Sequence, residues 1–204
     1  MDERFYKYVD KVKYFYRTEG EFFHTLYHVI NMFEVFEKYE GEFDEEFGDY
    51  NKEDLFWAIA YHDCFYLPGY AFNEEISAEI FYREFQNIHV KWAIESTKFD
   101  FKRFYNSNPF QKLQFPIERI LHDLDWYCLR EYFSLVRQEN AVEKEAYLLS
   151  NYSYDEIRKN RLEFYKAICK HDIFVTKAFQ KYNSIAKEDI CYRIKDFEEI
   201  YKIK

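Results

Sequence analysis

Leu55-Phe56-Trp57-Ala58-Ile59-Ala60-Tyr61-His62-Asp63-Cys64 is almost continuous apolar sequence that ends in a histidine and an aspartate. It reads as a buried helix, stopped by Tyr66-Leu67-Pro68-Gly69. An imidazole nitrogen and a carboxylate oxygen at the wet end of such a helix can both reach one ion. That donor pair suits a divalent cation such as Mn, Fe, Co, Ni, Zn or Mg. The rest of the chain fits a helical setting. Among 204 residues only 4 Gly and 3 Pro occur, so turns are few and elements long. That composition predicts an all-α fold in one domain spanning 1–204.

Helical spacing recurs on both sides of that segment. Residues 3–17 carry Phe5, Tyr8, Val9, Val12, Phe15 and Tyr16, and residues 21–39 carry Phe22, Leu26, Val29, Ile30, Phe33 and Phe36. Glu40 to Asp54 is acidic and reads as a solvated loop ending at the cap-like Asn51. Asn73 looks like the N-cap of a helix to about Phe85, with Glu74 and Glu75 in its first turn. Further helices are expected over His89–Thr97, Pro116–Tyr132, Asn140–Leu149, Ser153–Cys169 and Ser184–Tyr201, with a short element around Phe174 and a loop over Asp100–Phe115.

Charge and cysteine usage exclude several function classes. The net charge is −9 and no long Lys/Arg run exists, which argues against binding duplex nucleic acid. Cys64, Cys128, Cys169 and Cys191 show no CxxC spacing and read as buried free thiols in a reducing cytoplasm. No apolar leader opens the sequence and no run approaches membrane-spanning length, so a cytoplasmic protein without a membrane partner is expected.

Candidate ligands surround the central pair. His24 and His28 are four apart, so on a helix both project from one face. Three His-Asp dipeptides occur: His62-Asp63, His122-Asp123 and His171-Asp172. Only the first closes a strongly buried helix, and the last reads as a structural junction. Asp123 and Asp125 are acids inside an apolar helix, which is costly unless they are paired or coordinate something. They point in different directions, so one of them at most should meet an ion.

The order His28, His62-Asp63, Asp125 resembles the HD-domain metal-dependent phosphohydrolase superfamily, and within it a bacterial or phage group of predicted HD phosphohydrolases. Phe23-His24…His28, Ala58 to Asp63, Asn73-Glu74-Glu75-Ile76-Ser77-Ala78 and Asp123-Leu124-Asp125 carry the likeness, over roughly residues 20–130. A C-terminal helical extension would follow. The resemblance implies an HD-type helical bundle in which His28, His62, Asp63 and Asp125 hold one divalent metal ion. It implies hydrolysis of a small phosphorylated substrate, such as a nucleotide, by water activated at that ion. Asp63 and Glu74 are then the catalytic candidates, with Glu74 moving protons. His24, Asn73, Lys98 and Arg158 are candidate substrate contacts.

Two departures stand out. Ser96-Thr97-Lys98-Phe99-Asp100 lacks a histidine that the group often carries there, and Thr18 to Phe23 lacks a common basic residue. Two other functions compete: a catalytically weak or inactive member that binds a nucleotide or protein partner, and an HD-type iron oxygenase. The second would need more histidines between His62 and Asp125, where only His89 and His122 lie.

Overall fold

The computed structural model describes residues 1–16, 22–99 and 112–202. A 3-10 turn, Glu3–Phe5, leads into α1 (Tyr6–Val12), α2 (Leu26–Phe47), α3 (Lys52–Tyr61), α4 (Asn73–Phe85), α5 (Ile88–Ser96) and α6 (Pro116–Asp125). After a second 3-10 turn, Trp126–Arg130, come α7 (Tyr132–Leu149), α8 (Tyr154–Ile168), the single-turn α9 (Lys177–Gln180) and α10 (Asn183–Lys202). No strand occurs among the described residues, and the architecture is an all-α bundle.

The bundle is organised around α3. Leu55, Ala58, Ile59, Ala60 and Tyr61 are all fully buried, so this helix has almost no wet face. It packs against α1, α2, α5 and α6. Its start is fixed by Asn51, whose side chain accepts from the Asp54 N–H at 3.1 Å. Helix α2 lays Val29, Met32, Phe33, Phe36, Tyr39 and Phe43 along one side, the three- and four-residue recurrence of an amphipathic helix. The aromatic excess fills this core: Phe5 stacks on Phe33 with ring centroids 4.6 Å apart and meets Phe56 edge-on at 5.0 Å. Ser153 and Glu156 form a reciprocal cap at the start of α8, with N–H donation at 2.8 and 3.3 Å.

Several expected boundaries shift for identifiable reasons. The acidic stretch after Tyr39 is helical to Phe47. Phe43 and Phe47 continue the α2 stripe into the core, while Glu40 and Asp44 are neutralised by Lys52 at 2.9 and 2.7 Å. Gly48, at φ +66°, ends the helix in a conformation that side chains rarely adopt. Helix α2 starts only at Leu26, so His24 precedes it and is not on its face. Asn73 is the first helical residue of α4 and not its cap; its amide binds the backbone of Leu67, accepting from N–H at 2.9 Å and donating to C=O at 3.0 Å. Helix α7 begins at Tyr132, well before the expected Asn140, and the short element lies at Lys177–Gln180, after Phe174. The expected first helix is shortened to Tyr6–Val12, and α6 gives way to 3-10 geometry at Trp126. The loop expected over Asp100–Phe115 falls mostly outside the described residues. Cys191 is exposed, and Cys128 and Cys169 are half-buried, so only Cys64 matches the expected burial of the thiols. None of the described helices is long and apolar enough to cross a membrane.

Asp123 anchors the C-terminal region. Fully buried, it accepts from the Val175 N–H at 3.0 Å, the Thr176 N–H at 2.7 Å and the Thr176 hydroxyl at 2.5 Å. Burial pushes its carboxyl up to about 7, against these hydrogen bonds. Asp123→Ala leaves buried donors unpaired and should cost ~3 kcal/mol in urea unfolding. It should leave metal uptake unchanged, because Asp123 faces Thr176. Lost metal uptake in a folded variant would contradict this structural role.

Candidate metal centre

The last turn of α3 carries His62 into the interior. Its Nδ1–H donates to the Ile59 carbonyl at 2.9 Å, which fixes the tautomer and leaves the Nε2 lone pair facing inward. Asp63 follows directly, so its carboxylate and the imidazole leave the helix end together. Helix α2 brings His28 from its first turn, and α6 brings Asp125 at its C-terminal residue. His28 Nε2 lies 3.0 Å from Asp125 Oδ1, His62 Nε2 lies 3.0 Å from Asp63 Oδ2, and His62 Nε2 lies 3.8 Å from Asp125 Oδ1.

One ligating atom from each of His28, His62, Asp63 and Asp125 falls within 4.8 Å of the other three. Ligating atoms at about 2.0–2.2 Å from a common ion stand no more than about twice that apart, so these spacings are close to what one cation requires. The donor set, two imidazole nitrogens and two carboxylates, suits borderline divalent ions. His62 Nε2 is buried and makes no well-aligned hydrogen bond. A buried nitrogen left in that state costs stability unless something else uses its lone pair. The Ile59 carbonyl supplies the outer hydrogen bond that metal-binding histidines usually make.

The charges in the cluster support one another. Burial would lower His62, but the charge and close approach of Asp63 and the charge of Asp125 outweigh it and raise the imidazole to about 9. Burial would raise Asp63, yet the fields of His62, His24 and His28 hold it well below the usual carboxylate range. His24 sits beside the cluster, with Nε2 4.0 Å from Asp63 Oδ2. Its Nδ1 is hydrogen-bonded to Glu145, and its ring stacks on Tyr66 at 3.4 Å between centroids. Burial pulls His24 down, but Asp63 and Glu145 together keep it above its ordinary value.

Glu145 on α7 is a residue that the sequence did not single out. Its Oε2 accepts from the successive backbone N–H groups of Phe22, Phe23 and His24 at 2.8, 2.9 and 3.1 Å. This clamp shapes the approach to α2 and aims His24 at Asp63. No apolar spacing marks Glu145 off from the other glutamates of α7, so it carries no legible signal.

A cavity of about 150 Å³ opens beside the cluster. His24, Asp63, Tyr66, Glu74, Asp125 and Arg161 contribute to its wall. Glu74 therefore shares a wall with Asp63. Burial, followed by the charges of Asp63 and Glu75, raises its carboxyl. Arg161 of α8 is a second residue the sequence did not reveal. Three expected substrate contacts are committed elsewhere. Asn73 holds the backbone of Leu67, Lys98 pairs with Glu75 and donates to the Ala71 carbonyl at 2.6 Å, and Arg158 reaches Glu143 at 3.4 Å. None of the three lines this cavity. His122 is bound to the Ile173 carbonyl at 2.9 Å, and His89 packs on Trp92, so neither joins the cluster.

Comparison with protein-family models, curated proteins and solved structures finds no match to this chain.

Proton and cation would compete for His62 Nε2. A cation at His62 Nε2 would have to displace a proton at any pH below about 9, and the penalty deepens steadily as pH falls from there towards 6.5. Affinity for Mn²⁺ or Zn²⁺ should therefore rise across that window, with net proton release on binding. Calorimetric titrations in two buffers of different ionisation heat measure that release. Affinity independent of pH, with no proton released, would contradict the assigned ligand.

Proposed function

We propose that this protein is a metal-dependent phosphohydrolase of the HD superfamily, acting on a nucleotide or another small phosphorylated metabolite. The observation that carries the reading is the approach of four ligating atoms, from His28, His62, Asp63 and Asp125, to within 4.8 Å beside a cavity. These side chains come from α2, the end of α3 and α6, three segments distant in sequence. Their convergence is costly unless an ion offsets the burial of so many ionisable groups.

Bound there, a divalent cation supplies Lewis acidity towards a phosphoryl oxygen and lowers the pKa of a coordinated water. The surrounding residues have separate tasks. His62 and Asp63 present their donors side by side, and the Ile59 carbonyl keeps His62 in the productive tautomer. Glu74, with its raised carboxyl, takes or returns a proton at its side-chain oxygen on the cavity wall. His24, held by Glu145, offers its Nε2 to the same space and can donate to a phosphate oxygen. Arg161 adds a positive charge for an anionic substrate.

A second reading, a binding protein without turnover, is favoured by the exposed aromatic side chains, among them Phe133 at 85% exposure and Tyr14 and Tyr27 at 66%. A panel of nucleotides and sugar phosphates, assayed for phosphate release with Mn²⁺, Mg²⁺, Fe²⁺ or Zn²⁺, separates the two. Asp63→Ala should lose bound metal and at least ~100-fold in turnover while the protein stays folded, with a cooperative thermal transition. Glu74→Gln should keep the metal and lose ~100-fold or more in rate. A fully active Asp63→Ala would overturn the metal mechanism, and tight binding by an inactive wild type would favour the second reading.

A further inference from the structure

The cavity beside Asp63 has a neighbour. A second one, of about 240 Å³, is lined by His28, Asn31, Arg130, Ser134 and Arg137 among others. Phe23, Cys128 and Gln138 line both. The cluster therefore stands between two adjoining spaces: His28 contributes to the second, while Asp63 and Asp125 contribute to the first. Neither alone reaches the ~300–1,000 Å³ usual for a small-molecule site, but together they do.

The arginines give this double space a chemical preference. In a chain of net charge −9, Arg4, Arg83, Arg119, Arg130, Arg158 and Arg193 all pair with carboxylates. Among the described arginines, only Arg137 and Arg161 have no carboxylate within ion-pair distance. Arg161 lines the first cavity and Arg137 the second. Arg161 is placed over the ring of Phe164, 5.5 Å from its centroid, and Phe164 belongs to the same wall. Gln138, on α7 one residue after Arg137, borders both spaces. Uncommitted guanidinium groups in two adjoining cavities match two separate anionic groups, because each can bind phosphate oxygens in a paired, planar fork.

We propose that the two cavities form one cleft for a diphosphate. One phosphoryl group lies against the His28–His62–Asp63–Asp125 cluster and Arg161, and the other lies against Arg137. The proposal rests on the phosphohydrolase reading and narrows its substrate class from phosphorylated metabolites in general to those carrying two linked phosphates. Arg130, already held by Glu131 at 3.0 Å and placed over Tyr127, is a wall of the outer space more than a free donor.

The test is calorimetric titration of the Mn²⁺-loaded protein with inorganic pyrophosphate and with inorganic phosphate. The wild type should prefer pyrophosphate by at least ~10-fold, and Arg137→Ala should cut that preference to about threefold or less, the loss of one charge-assisted contact. Arg161→Gln should weaken both ligands by a similar factor, and Arg161→Lys should restore part of that loss. Arg137 is exposed on its helix, so its removal leaves the fold intact; the melting temperature checks this. A preference that survives Arg137→Ala overturns the proposal, including the case where pyrophosphate merely strips Mn²⁺ from the protein. Absence of any preference in the wild type overturns it too. If the wild type takes up no Mn²⁺, the phosphohydrolase reading itself fails. Mn²⁺ uptake without the Arg137-dependent preference removes this proposal alone.

Discussion

Helix α3 has almost no face it can show to water, and most of the molecule follows from that. An apolar helix buried on every side must be wrapped by others, and here α1, α2, α5 and α6 do the wrapping. Wrapping it also encloses whatever ends it. His62 is 1% exposed because it follows directly on Tyr61, the last buried turn of α3. A histidine placed so deep must satisfy both nitrogens. One is satisfied by the Ile59 carbonyl, and the other is left facing the carboxylates of Asp63 and Asp125.

The C-terminal helices complete what α3 begins. Without α7 the segment before α2 would lack the Glu145 clamp that gathers three backbone N–H groups and the His24 imidazole. Without α8 the cavity would lack its uncommitted guanidinium. The same region buries other acids with matched partners: Glu139 accepts from Arg193 at 2.6 and 3.0 Å and from the Tyr165 hydroxyl at 3.2 Å. Pairing of that quality offsets the burial of a carboxylate without a metal. The contrast with the His28–His62–Asp63–Asp125 cluster is informative, because among the described residues no arginine or lysine pairs with Asp63 or Asp125.

Periodicity made the helices and the inner candidate ligands readable. The unbroken apolar run placed His62-Asp63 at a helix end, and the three-and-four stripe placed α2 with His28 upon it. The resemblance added Asp125 over Asp123; Asp125 lies in the cluster, while Asp123 turns to Thr176. What escaped was set by contacts distant in sequence. His24 is lifted off the helix by Glu145, more than a hundred positions away, and Asn73 is drawn from solvent by the Leu67 backbone. The acidic stretch after Tyr39 looked solvated because its charges are obvious, whereas its helix depends on Phe43, Phe47 and the cation of Lys52. Arg158 and Arg161 are one helical turn apart and alike in sequence context, yet one pairs with Glu143 and the other faces the cavity.

The central claim is that His28, His62, Asp63 and Asp125 share one ion. A crystal of the protein soaked with Mn²⁺, with data collected for anomalous scattering, tests it most directly. One strong peak is expected between α2, α3 and α6, in bonding contact with all four residues at about 2.0–2.3 Å. A protein that takes up no ion there, or a peak that leaves out His28 and Asp125, would contradict the account.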